Sequence, residues 1–252
     1  MELAIVCTAS LLAGFVDAIV GGGGLILVPS LFAAFPGAAP ATLFGTNKGA
    51  SIWGTTLASW QYSRRVHMVW RALLPAGLAA LVASFSGAWL VTVVSPALLR
   101  KVLPGLLLLL LAYTLIKKDL GQSHAPRFTG RKELLVLCTI GAVIGFYDGF
   151  FGPGTGSFFV FLLVRLVGYD FLHASAHAKV LNAASNLAAL CLFTLKGHVW
   201  WHLVLAMALS NMLGSLGGTH LALKHGTSFV RVVFLVVVAC LIGKTTWDAF
   251  GV

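Results

Sequence analysis

Two lysines and two aspartates stand in stretches of this chain that are otherwise apolar. Lys48 lies in GTNKGAS and Lys179 in SAHAKVLNAASN, while Asp17 and Asp148 each fall about one turn before a glycine cluster. A lysine near the middle of a membrane helix costs about 2.5–3.5 kcal/mol on insertion scales, which favours a bundle interior or a wet cavity over lipid. The competing placements are a side chain that snorkels to the interface, or one that simply pairs with an aspartate. On a helix, residues three and four apart share a face, so Lys179, Asn182 and Asn186 form one polar stripe. Asn47, Ser51 and Thr55 supply its counterpart around Lys48. An ammonium flanked by amides and hydroxyls offers charge and oriented donors to an oxyanion. For Asp17 and Asp148 three roles stay open: counter-ions to the lysines, carboxylates whose protonation couples transport, or caps on nearby backbone N–H groups.

The glycines extend the same chemistry. The segments GFVDAIVGGGGLIL at 14–27 and GFYDGFFGPGTGSFF at 145–159 interrupt what would be spanning helix. Irregular backbone at membrane depth survives only inside protein or along a wet cavity. A short apolar helix follows each cluster, and its first N–H groups carry partial positive charge suited to an anion. Gly22, Gly23 and Gly24 in the first cluster, and Gly154, Thr155 and Gly156 in the second, are the candidate backbone donors. The plainer alternative is tight turning and close helix packing, which is the preferred reading for the Gly141, Gly145 and Gly149 stripe.

The elements that must position these residues follow from composition. The 252 residues are 59% hydrophobic and 10% charged, with mean hydropathy +0.95. Those values lie outside the soluble range and indicate an all-α polytopic membrane protein. Apolar runs of spanning length recur at 3–20, 72–94, 102–116, 203–223 and 229–243. Met1-Glu2 gives no positive leader, so the first run is expected to be a membrane segment and not a cleaved signal. The formal charge of +10 fits Lys and Arg gathered in cytoplasmic loops, with no basic face for nucleic acid.

Sliding the chain on itself by 131 residues (148 − 17) superposes Asp17 on Asp148 and Lys48 on Lys179. The same offset matches Glu2 with Glu133, Cys7 with Cys138, Gly21 with Gly152, His67 with His198, Trp70 with Trp201, Ser84 with Ser215 and Arg100 with Arg231. The expected organisation is a first transmembrane repeat at 1–116, a polar cytoplasmic linker at 117–132 and a second repeat at 133–252. Each repeat has about four helical segments: a glycine-broken one (3–35, 134–168), a lysine-bearing one (41–61, 172–195) and two plain ones (72–94 and 97–116; 203–223 and 229–250), the first pair turning at Ser95-Pro96. The basic SRRVHMVWR loop and the linker should both be cytoplasmic, whereas in the second half Lys224 and Arg231 mark the opposite loop. That swap predicts inverted topology, with each broken segment entering and leaving on one side. Four crossings per half in parallel is the rival.

Other candidates weigh less. Cys7, Cys138, Cys191 and Cys240 lack metal or redox spacing and are expected as small buried hydrophobes. His198 and His202 have metal-like spacing without further ligands, beside interfacial Trp70, Trp200 and Trp201, so no metal site is assigned. His177 takes the place of Thr46 beside the lysine and joins the candidate binding set. No nucleophile elbow, HExxH or phosphate-binding loop is present, which argues against an enzyme, and no cofactor is expected.

Taken together, GFVDAIVGGGGLILVPSL, GTNKGAS, GFYDGFFGPGTGSFF and AHAKVLNAASN resemble the TauE/SafE sulfite/sulfonate exporter family, nearest its YfcA-like branch of probable membrane transporters. The resemblance covers nearly the whole chain. It implies a multi-pass protein of the bacterial inner membrane that moves small sulfur oxyanions or organosulfonates, such as sulfite or sulfoacetate. It also implies binding at the glycine segments and on the polar face around the lysines. Pro153 and Thr155 in the second cluster make the two half-sites chemically unequal. The resulting expectation is a secondary transporter working by alternating access, with a passive anion channel as the alternative and an intramembrane enzyme or receptor behind it. Its partners are a small anion and the lipid bilayer, and proton or sodium coupling and homodimerisation are both compatible with such a chain.

Overall fold

The computed structural model describes residues 2–94 and 124–250, leaving aside the side chains of 234–235 and 237–250. The expected turn at Ser95-Pro96, the span at 97–116 and the first part of the linker lie outside the described residues. Within them the regular structure is all helical: α1 (Glu2–Val20), α2 (Gly24–Ala34), α3 (Pro40–Ser63), α4 (Trp70–Val93), α5 (Gly130–Phe150), α6 (Thr155–Leu162), α7 (Phe171–Leu195) and α8 (Trp201–Phe250). A π-helical turn, Leu163–Val167, extends α6, and α8 is broken at Gly226 (φ 70°, ψ −159°). Four of these helices, α1, α4, α5 and α7, are long and apolar enough to cross a bilayer.

Local chemistry explains the boundaries. Pro40 occupies the first turn of α3, where its missing N–H is no loss. Asp170 caps α7 by accepting from the His173 backbone N–H at 2.8 Å. Gly21 and Gly152 end α1 and α5 at φ 79° and 84°, a left-handed conformation that side-chain-bearing residues avoid. The chain can therefore reverse after each long helix and start a short one. At about 1.5 Å per residue, the 11 residues of α2 cover roughly half a bilayer. The linker is partly structured, because Ala125 N and Arg127 N donate to Gly168 O and Val167 O, and α5 begins at Gly130 inside the expected 117–132 boundary.

The two halves are interleaved. The most extensive packing joins α4 to α5 and α1 to α8, so each glycine-broken segment lies against a plain helix of the other half. Glycine makes this possible. A Cβ on Gly145 would stand 2.5 Å from the Ala80 carbonyl oxygen, and the residues 131 positions away, Gly14 and Asn211, make the same backbone contact. Gly87 on Phe146 and Gly218 on Phe15 form a second matched pair. Gly141 and Gly149 complete the stripe against Ala76 and Ser84. In a membrane, small residues that let backbones touch supply the packing that hydrophobicity cannot.

Hydrogen bonds repeat the pattern. Ser84 donates to Ser185 O at 2.7 Å and Ser215 to Gly54 O at 2.6 Å. The start of α3 sits beside the start of α8, since Thr46 Oγ1 accepts from Trp200 N at 3.1 Å. The start of α7 sits beside the start of α4, since His177 Nε2 accepts from Val69 N at 3.3 Å. As α8 follows α7 and α4 follows α3, these contacts make α3 and α7 antiparallel. Outward faces carry Leu78, Val82, Leu205 and Leu209 in exposed positions, as a lipid-facing surface would. Trp70 and Trp201 are also exposed. Cys191, expected to be buried, is exposed on α7.

Packing of this kind predicts the effect of one methyl group. Gly149→Ala or Gly218→Ala should each destabilise the protein by about 1–3 kcal/mol, because backbone on the facing helix must move. Gly37→Ala, with nothing near its added carbon, should be neutral. Thermal unfolding in detergent compares the three, and equal stability throughout would contradict the interleaved packing.

Candidate functional site

The residues singled out by type converge because four helices bring them to one depth. Asp17 lies one turn before the end of α1 and Asp148 half a turn before the end of α5. Lys48 sits in the first half of α3 and Lys179 in the first half of α7. Because α3 and α7 are antiparallel, their polar faces meet between the two glycine breaks. Gly21, Gly24, Gly152, Thr155 and Gly156 line the resulting cleft together with Asp17, Asn47, Lys48, Ser51, Thr55, Asp148, Asn182 and Asn186.

The charges pair across the halves. Lys48 of the first half donates to Asp148 of the second at 2.5 Å and to Asn186 Oδ1 at 2.8 Å. Lys179 of the second half donates to Asp17 of the first at 2.9 Å. Thr55 also approaches Asp17 Oδ2, at 3.4 Å, and Gly23 N approaches Oδ1 at 3.4 Å. Lys48 is 3% exposed and Lys179 0%, so neither reaches an interface. Asp17 thus meets both a lysine and a backbone N–H at the helix break. Two orphaned acceptors remain in the cleft, since Asn47 Oδ1 and Asp148 Oδ2 are buried without a hydrogen-bond partner.

Two helix N-termini also open here. α2 and α6 both begin without a side-chain cap, Gly154 entering α6 at φ 82°. Leu25 N and Ile26 N are bonded to Gly22 O and Gly23 O, and Thr155 N and Ser157 N to Gly152 O and Gly21 O, so the breaks present the positive end of each helix dipole more than a row of open donors. Tyr147 holds the second break in shape by donating to Pro153 O at 2.6 Å, and Thr155 donates to Gly152 O at 2.8 Å. The cleft encloses about 20 Å³, enough for about one water molecule.

Some candidates fall elsewhere. His177 is not part of the cleft: Nδ1 donates to His173 O at 2.8 Å while Nε2 takes the Val69 N–H. It is a cap on the start of α4, and Thr46 does the same for Trp200 at the equivalent place, which explains why these two types exchange. Gly22, Gly23 and Gly154 shape the breaks, whereas the lining glycines are Gly21, Gly24, Gly152 and Gly156. Lys179 reaches the cleft through Asp17. The crosswise pairing of lysine and aspartate had only a faint sequence signal, the constant 131-residue offset of both residue types.

A second, wider cavity of about 1090 Å³ opens at the end of α3, where Arg64, Arg65, His220 and Lys224 come together with Trp60 and Gln61. Sequence spacing alone places these basic residues in two separate loops, and the interleaving of α3 with α8 unites them.

Buried ion pairs have a characteristic signature on mutation. Asp148→Asn or Lys48→Met alone leaves a buried charge uncompensated and should lose about 3–5 kcal/mol of stability. The double variant should recover most of that loss. A double-mutant cycle from denaturant unfolding in detergent measures it, and strictly additive losses would mean that the two groups do not interact.

Comparison with known proteins gives the site its context. The family model described as "Sulfite exporter TauE/SafE" matches residues 6–245. A "Probable membrane transporter protein YfcA" of Escherichia coli K12 is 37% identical, covering 99% of this chain and 91% of that protein. A "Probable membrane transporter protein ORF9" of a Sinorhizobium species is 37% identical over 93% of this chain and 88% of its own. A "Probable membrane transporter protein" of Haemophilus influenzae is 34% identical over 98% and 95%. No solved structure matches. With the match spanning nearly the whole chain and both glycine breaks, the chain belongs to the sulfite exporter TauE/SafE family, as a multi-pass membrane transporter.

Proposed function

We propose that this protein is a secondary transporter of small anions, sulfur oxyanions or organosulfonates, working by alternating access between two inverted halves. One observation carries the reading: buried Lys48, and Asp17 held by buried Lys179, line a single cleft with Gly24 and Thr155, the first residues of two helices without side-chain caps. The lysine ammonium groups and the partial positive charge of the helix starts together suit a compact oxyanion. The family description, which names sulfite, supports the sulfur class. Antiparallel α3 and α7 and the contacts repeated at the 131-residue offset support inversion, and the union of Arg64, Arg65 and Lys224 at one end supports a cytoplasmic face there. A bacterial inner-membrane location follows from the same charge asymmetry and from the relatives' organisms.

The mechanism follows from charge balance. With two lysines and two aspartates the cleft is neutral, so an anion can take a lysine only if a carboxylate lets go. Protonation of Asp148 would free Lys48 for substrate without stranding a buried charge. This couples anion movement to a proton. Asn182, Asn186, Ser51 and Asn47 then orient the oxyanion, and the glycine-region N–H groups complete its shell. A cavity of about 20 Å³ has no room for such an anion, so the halves must part to admit it, and the crosswise ion pairs are the contacts that would break and re-form. The relatives' names, all of membrane transporters, support transport over an enzyme.

Proteoliposome transport tests the proposal. The wild type should take up sulfite or sulfoacetate saturably, show counterflow and move protons with the anion. Lys179→Ala and Lys48→Ala should each lower uptake at least about tenfold, as loss of a charged hydrogen bond implies, measured on the folded, monodisperse fraction because each change also strands a buried aspartate. Undiminished uptake in either variant would remove that lysine from the mechanism, and non-saturating flux without counterflow would indicate a channel.

A further inference from the structure

A second constellation lies at the start of α7, away from the anion cleft. His124 from the linker, Asp170 at the α7 cap and His173 in its first turn place their side-chain donors within 4.8 Å of one another. Asp170 Oδ2 is 2.8 Å from His173 Nδ1 and 3.7 Å from His124 Nδ1. Its other oxygen, Oδ1, is taken by the His173 backbone N–H, which fixes the carboxylate and leaves Oδ2 facing the two imidazoles. The rings of His124 and His173 lie 4.0 Å apart between centroids.

Surrounding groups hold this arrangement. His124 stacks on Tyr169 at 5.2 Å, and the Tyr169 hydroxyl donates to buried Glu133 at 2.6 Å. The His173 carbonyl accepts from His177, which in turn caps α4. Two imidazoles and a carboxylate, with supporting hydrogen bonds behind them, are the donor set of zinc-class ions. Ligand bonds of about 2.0–2.2 Å require donors roughly 3–3.5 Å apart, which small side-chain rotations supply here. His124 and His173 are 35% and 26% exposed in their side chains, so water can reach the remaining positions.

We propose that His124, Asp170 and His173 form a divalent metal site for zinc or a similar borderline ion, clamping the linker onto the first turn of α7. The ion would act as a staple at one end of the helix that carries Lys179. This assignment does not depend on the anion-transport reading.

Metal titration of the tag-free full chain in detergent decides the matter. One equivalent of Co²⁺ should bind with visible absorption bands and be displaced by Zn²⁺, and Zn²⁺ should raise the unfolding temperature. His124→Ala, which lies outside every helix, should weaken binding at least about tenfold, as even the loss of a supporting contact does at metal sites. His173→Gln should do likewise, and both should abolish the thermal shift. Absence of stoichiometric binding overturns the proposal, as does binding that survives both variants or disappears only with His198→Ala or His202→Ala.

Discussion

A buried charge in a low-dielectric interior must be matched by an opposite one, and this constraint organises the molecule. Lys48 and Lys179 are almost wholly buried at the depth where their helices place them, so each needs a carboxylate within hydrogen-bonding reach. The partner comes in both cases from the other half of the chain. The halves are consequently bound to one another at their centre by charge, and along their seams by glycine-mediated backbone contact. Interleaving α1 with α8 and α4 with α5 is the arrangement that delivers both at once.

The same constraint gives the site its chemistry. A hydrophobic centre could seal the halves more cheaply, since replacing a buried pair with apolar side chains is often neutral or stabilising. In the proposed carrier, retaining four charges beside two helix starts is what would let a foreign anion compete with a built-in one. The orphaned Asp148 Oδ2 and Asn47 Oδ1 mark this as a polar network that the protein alone does not complete. In the proposed carrier, the pairs that hold the closed form together are those that substrate and proton must open. Stability and transport then compete for the same two interactions.

The 131-residue offset also relates residues whose types differ between the two halves of the chain. Thr46 and His177 occupy equivalent positions and do equivalent work, each accepting the N–H at the start of the neighbouring plain helix. Ser10 and Gly141 form another such couple: Ser10 donates to Met207 O, while Gly141 touches the Ala76 backbone directly. In each case the facing helix and its register are the same, and the side chain adapts to the gap.

Periodicity, composition and internal repetition were enough to determine the helical membrane class, the two glycine breaks, and the lysine and aspartate residues that gather at the centre. Those features are local, because hydrocarbon tolerates neither stray charge nor unpaired backbone. Which lysine meets which aspartate, and that Lys224 joins Arg64 and Arg65, depended on how antiparallel helices from opposite halves slide together. No spacing along one helix encodes that. His177 shows the difference most clearly, since its neighbours in sequence put it beside Lys179, yet the helix turns its ring toward Val69. The His124, Asp170 and His173 cluster was invisible for the same reason: linker and helix meet only because the chain folds back at Gly168, where a positive φ reverses its path.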